Sequence, residues 1–104
     1  MTINYTRDEQ GIVTLTMDKP SRSANLLDEA FFTALNRALD RLAADESVTG
    51  VILASAKKTF MAGADIDNMF GSDDPQVNFD FSQLLKAQFR RLETLGKPVV
   101  AALN

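Results

Sequence analysis

The chain has 104 residues, 45% hydrophobic and 24% charged, with eleven Lys and Arg against fourteen Asp and Glu for a net charge of −3. That length allows one domain at most, the composition is that of a globular protein, and the scattered basic residues do not build the dense positive face that nucleic-acid phosphates require. Cysteine and histidine are both missing, which excludes thiolate nucleophiles, zinc clusters and Ser-His-Asp triads within the chain and leaves carboxylates, hydroxyls, lysines and backbone groups for chemistry.

No metal site is expected. The longest unbroken apolar run, Val99 to Leu103, is far short of the ~20 residues that cross a bilayer. The start, Met1 to Asp8, lacks the basic residues and apolar stretch of a secretory signal. A cytoplasmic chain with no membrane or nucleic-acid partner is expected.

Ile3 to Arg7 and Ile12 to Met17 read as two strands joined by the polar, glycine-containing turn Asp8-Glu9-Gln10-Gly11. In the second strand the alternation predicts Val13, Leu15 and Met17 on one buried face. Asp18 to Ser23 breaks the strand, because Pro20 cannot donate to a ladder. A helix is predicted from Leu26 or Asp28 to Ala44, with Leu27, Phe31, Leu35, Leu39 and Leu42 on its apolar stripe and Asn25 or Asp28 as its cap. Gly50 to Ser55 is a continuous apolar run, as in a parallel strand covered on both faces.

Asp65 to Phe70 suggests a short helix, stopped by Gly71-Ser72-Asp73. Asp74-Pro75 opens another, whose stripe runs through Phe81, Leu84, Leu85, Gln88, Leu92 and Leu95. Lys97-Pro98 leads into a last strand, Val99 to Leu103. The order is that of an α/β chain with crossover units. A chain halting on a buried-type strand, without a covering element, reads as part of a larger domain.

The loop Phe60-Met61-Ala62-Gly63-Ala64-Asp65 leaves the carboxyl end of a parallel-type strand, where ligands of open α/β sheets bind. Gly63 has no Cβ to keep a ligand away, and the N–H of Ala64 is close to a helix start, where negative charge is favoured. Such a loop can hold a developing oxyanion. It can equally be a plain turn, with Gly63 reversing the chain and Asp65 capping the helix; Asp67 reads as a solvated helix residue, and neither aspartate reads as catalytic. Lys57-Lys58 reads as a solvated turn. The spacings of phosphate-binding glycine loops do not occur.

Phe60-Met61-Ala62-Gly63-Ala64-Asp65-Ile66 resembles the F-x-A-G-A-D-[IL] segment of the crotonase (enoyl-CoA hydratase/isomerase) family. Lys97 to Asn104 is similar to the K-P-x-[IV]-A-A-[IVL]-N strand that follows it there. Asp18 to Asn25 looks like the D-x-P-x-x-S-A-N of chains that fuse a hydratase to a 3-hydroxyacyl-CoA dehydrogenase. The resemblance implies a truncated crotonase-type ββα spiral, with residues 1–104 the N-terminal part of a single domain.

It further implies an acyl-CoA enzyme, in the first place an enoyl-CoA hydratase of fatty-acid β-oxidation; an isomerase, an acyl-CoA hydrolase and a non-catalytic CoA-binding or assembly module are the alternatives. Ala64 would supply one backbone donor to the thioester oxyanion. Arg22, Ala24, Ala62, Gly63, Asp65 and Ile66 would lie along the substrate, Arg22 either on a CoA phosphate or as an exposed turn residue. Met61, Met69 and Phe70 would line an acyl pocket or belong to the core. The second donor and the acid/base glutamates belong, in the family, beyond the position of Asn104, so this piece alone is expected to be inactive. Coenzyme A would enter as part of the substrate with no prosthetic group, and NAD only with a dehydrogenase portion. A homo-oligomer or a β-oxidation complex is the expected assembly.

Overall fold

A computed structural model describes residues 2–64 and 75–104. The short helix read over Asp65 to Phe70, its glycine stop, the Asp74 cap, and Met69 and Phe70 lie outside the described residues.

Strand β1 (Ile3–Arg7) pairs antiparallel with β2 (Ile12–Met17), Ile3 opposite Met17 and Arg7 opposite Val13. The turn between them is held by Asp8, whose Oδ1 accepts from the N–H groups of Gln10 and Ile12 at 2.9 Å each. Gly11 is required there twice over. Its φ is +85°, and a Cβ would lie 2.5 Å from the Ser47 carbonyl oxygen. The alternation read in β2 is present, with Val13, Leu15 and Met17 at most 1% exposed.

Helix α1 (Glu29–Ala44) begins after Asp28, whose backbone is extended and whose Oδ1 accepts from Phe31 N–H at 2.9 Å. Asp28 is therefore the cap and Asn25 is not. Leu26 and Leu27 form a separate two-residue strand, β3, rather than a first helical turn. The helical stripe buries Phe31, Leu35, Leu39 and Leu42 as read, and also Phe32 and Ala38. The Phe31 and Phe32 rings meet edge to face, 5.3 Å between centroids, a favoured aromatic geometry. These side chains close on Val13, Leu15 and Met17 to form the core.

β4 (Gly50–Ser55) runs parallel to β2, and β6 (Val99–Ala101) runs parallel to β4, giving the order β1-β2-β4-β6. Covering of β4 is less complete than its apolar run suggests: Val51 is buried and the rest is half-buried. β6 is shorter than predicted. Ala102 N–H still reaches Leu53 O at 2.9 Å, after which Asn104 turns its Nδ2 onto Lys57 O at 2.7 Å.

Helix α2 (Pro75–Glu93) buries Gln88 and Leu92. Leu84, expected on its inner stripe, is 48% exposed. Past the helix, Lys97 donates from Nζ to the carbonyls of Leu42 and Asp45 at 2.9 Å each, satisfying acceptors left open at the C-terminus of α1 with a cation where the dipole favours one.

β3 pairs parallel with β5 (Gly63–Ala64), Leu26 opposite Gly63 and Leu27 opposite Ala64. The chain thus repeats one unit, long strand, short strand, helix: β2-β3-α1, then β4-β5-α2. The long strands share one sheet and the short ones the other. Because β2, β4 and β6 are parallel, their carboxyl ends, Met17, Ser55 and Ala101, lie along one edge, and the short strands leave from that edge.

Candidate active site

Two loops leave this edge, residues 18–25 after β2 and residues 56–62 after β4. Asn25 ties them together. It is 2% exposed, and its Oδ1 accepts from Lys19 N–H at 3.0 Å while Nδ2 faces Ser55 Oγ at 2.8 Å, Phe60 O at 3.2 Å and Met17 O at 3.3 Å. Its own carbonyl accepts from Ala62 N–H at 2.9 Å. Ser55 extends the network, donating from Oγ to Thr59 O at 2.8 Å and accepting from Lys57 N–H at 3.0 Å. A buried carboxamide with these partners stabilises, whereas an unpaired one would cost about 1–3 kcal/mol per lost group.

Charges reinforce the same two loops. Lys57 Nζ binds Asp18 Oδ1 at 2.7 Å and Lys19 O at 2.9 Å, and its side chain is only 14% exposed. Lys57 is thus an inter-loop clamp and not the solvated turn residue of the sequence reading; Lys58 is exposed as read. Lys57 holds the Asp18 carboxyl below its ordinary value, first by the hydrogen bond and then by its charge. Asp18 is accordingly an anion at neutral pH and the clamp is closed. Next to it Lys19 Nζ pairs with Asp28 Oδ2, linking the loop to the start of α1.

These bonds deliver Gly63 and Ala64 into β5. Gly63 has φ +124°, and nothing lies within 4 Å of where a Cβ would stand. Glycine is needed there for its backbone angle and not for lack of room. Phe60 and Met61 pack against the core, which gives Met61 the structural of its two readings. The N–H of Ala62 is taken by Asn25, and Ala64 stands opposite Leu27 in the register of β3 and β5.

Among the remaining sequence-read residues, Arg22 and Ala62 are exposed and Ala24 is half-buried. All three belong to the same pair of loops. Asp65 and Ile66 lie outside the described residues. Arg22, Ala24 and Ala62 do not border the groove of about 600 Å³ between β1 and α1, lined by Ile3, Tyr5, Ala34, Arg37, Ala38 and Arg41 among others. Sequence reasoning missed Asn25, Ser55 and Lys57 as a network. The only signal was the Ser-Ala-Asn at the end of the first loop. No described helix is long and apolar enough to cross a membrane, and the described residues hold no group of three His, Cys, Asp or Glu that could bind a metal.

Two short parallel strands, β3 and β5, fed from the carboxyl edge of a larger sheet define the class of fold. The chain superposes on an enoyl-CoA hydratase from Mycobacterium smegmatis with a TM-score of 0.90 at 34% identity, covering 99% of this chain and 40% of that one. It matches an enoyl-CoA hydratase from Bacillus anthracis with a TM-score of 0.86 at 27% identity, covering 100% and 40%. The fold is therefore the crotonase fold.

The sequence profile of the enoyl-CoA hydratase/isomerase family matches residues 7–104, and the chain belongs to that family. A fatty acid oxidation complex subunit alpha from Shewanella halifaxensis is 39% identical over 104 residues, which is 99% of this chain and 15% of that protein. The chain thus spans about a seventh of the length of the curated relatives it matches and two fifths of the solved ones.

Proposed function

We propose that residues 1–104 form the N-terminal part of one crotonase-like domain that binds an acyl-CoA thioester and, in the longer protein, adds water to a trans-2-enoyl-CoA in fatty-acid oxidation. The observation that carries this reading is the Gly63-Ala64 strand: a glycine at φ +124° followed by an alanine amide, held by β3 at the carboxyl edge of the sheet. Family membership and the likeness to complex alpha subunits support the substrate class.

Hydration places a water oxygen on Cβ and a proton on Cα of the conjugated thioester. On the way, electrons from the Cα–Cβ double bond move onto the thioester oxygen. A fixed N–H aimed at that oxygen favours the charged species over the ground state, and one such donor is worth roughly 3–4 kcal/mol. Ala64 supplies one donor. The second donor and the carboxylates that move protons come from residues following Asn104 in the longer protein. Arg22, Ala24, Ala62, Gly63, Asp65 and Ile66 flank the substrate, with Arg22 available to a CoA phosphate. NAD chemistry enters only with a dehydrogenase portion of the same protein, and a homo-oligomer or a β-oxidation complex in the cytoplasm is the proposed setting.

The test is incubation of the full-length protein with a trans-2-enoyl-CoA and identification of the product by mass spectrometry. The expected product carries one added water. A shifted double bond or released CoA would reassign the site to isomerisation or thioester hydrolysis, and unchanged substrate with intact CoA binding would make it a binding module.

A further inference from the structure

We propose that Asn25 is the positioning residue of the oxyanion loop, setting the direction of the Gly63–Ala64 peptide without touching substrate. This rests on the reading of Ala64 given under Proposed function. The side chain of Asn25 grips Phe60 O and its main chain grips Ala62 N–H, so both neighbours of Met61 are fixed by one residue. The next two residues on each strand, Leu26-Leu27 and Gly63-Ala64, then pair in register. Gly63 meets nothing within 4 Å of its Cβ position. Among the described residues no side wall stands at that Cβ position, and the orientation of the peptide follows from the bonds that Asn25 makes to the loop before it.

The demand for such a clamp is chemical. An oxyanion donor acts only when it sits about 2.7–3.1 Å from the charged oxygen, and a displacement of ~1 Å costs on the order of 100-fold. Asn25 spends both carboxamide groups on strand ends and loops that converge on this strand, at sequence separations of up to 35 residues. A residue placed only to stabilise the core has no reason to hold the two residues that flank Met61.

The experiment uses the full-length protein with Asn25→Asp, Ser55→Ala and Ala64→Pro, each assayed for kcat and KM on a trans-2-enoyl-CoA, with circular dichroism at every pH. A protonated carboxyl at position 25 can donate to Phe60 O. An ionised one repels it, and burial among acceptors raises its pKa. The kcat of Asn25→Asp relative to native is therefore expected to rise at least ~10-fold as pH falls from about 8 to about 6, with KM within about threefold.

Ser55→Ala removes one bond to Asn25 and one to Thr59, and is expected to lower kcat about 3- to 10-fold with little change in KM. If Asn25→Asp does not fold, Ser55→Ala decides alone. A pH-independent ratio in folded Asn25→Asp, or native kcat in Ser55→Ala, overturns the proposal. Ala64→Pro separates the two layers of the argument. Native turnover in that variant removes the oxyanion reading itself, and with it this proposal, whereas loss of turnover there with unaffected Asn25 and Ser55 variants removes the positioning role alone.

Discussion

Ala64→Pro in the full-length protein is expected to lower turnover of a trans-2-enoyl-CoA at least ~100-fold while the protein keeps its fold. Proline has no backbone N–H, so the substitution deletes the donor proposed for the thioester oxygen and leaves the residues proposed to flank the substrate unchanged. Ala64 is also the last described residue of the β3–β5 pairing, and proline is tolerated on an edge strand where its missing N–H is not part of the ladder. A milder version replaces Ala64 with lactic acid by nonsense suppression, exchanging the amide for an ester that lacks the same hydrogen. Both changes should act mainly on kcat, because the interaction is made chiefly in the transition state. Steady-state kinetics with circular dichroism as the folding control checks this, and native kcat in both variants contradicts it.

Phe31→Ala is expected to destabilise the domain by about 3–5 kcal/mol. Phe31 is 2% exposed and lies in the first turn of α1, directly after the Asp28 cap, against Phe32 and the β2 face. A typical domain is stable by about 5–15 kcal/mol, so this single truncation removes a large share of it. Arg91→Ala provides the contrast. Arg91 bridges α2 to α1 through Asn36 Oδ1 at 2.6 Å and Asp40 Oδ1 at 2.9 Å, but its partners are exposed, and such a pair contributes about 1 kcal/mol or less. Urea unfolding of the two variants should show a large midpoint shift for Phe31→Ala and a small one for Arg91→Ala. Equal shifts would mean that the core does not sit between α1 and β2.

The core and the site are connected through that same turn. Asn25, β3, the Asp28 cap and Phe31 all fall within the seven positions from Asn25 to Phe31. Packing of α1 on the sheet therefore fixes where β3 stands, and β3 fixes β5. Lys19 joins the start of this stretch to the helix cap, its N–H on Asn25 Oδ1 and its ammonium on Asp28.

Local pattern made the long elements legible. β1, β2, β4 and α1 follow from alternation, apolar runs and a helical stripe that reach over several residues. The cap at Asp28 was legible as one of two candidates, because capping depends on an acceptor beside the first turn. β3 and β5 were not legible, since a two-residue strand has no period to read. Leu27 fits the helical stripe as well as it fits a strand, and only its pairing with Ala64 decides between them.

The network at the site escaped for a different reason. Asn25 meets Ser55 and Phe60 across 30 and 35 residues, and Lys57 meets Lys19 across 38. Lys97 closes the end of α1 from 55 residues away. No spacing rule reports partners that distant. What the sequence did carry was the loop itself, Gly63 and Ala64 after a parallel strand, and there resemblance and physical reasoning point to the same amide.

The most direct measurement is a crystal structure of the full-length protein with a stable acyl-CoA analogue bound. The account predicts the thioester oxygen about 2.7–3.1 Å from the backbone nitrogen of Ala64, with the N–H directed at it. An Ala64 N–H spent on a carbonyl of β3, with the thioester oxygen held elsewhere, would contradict it.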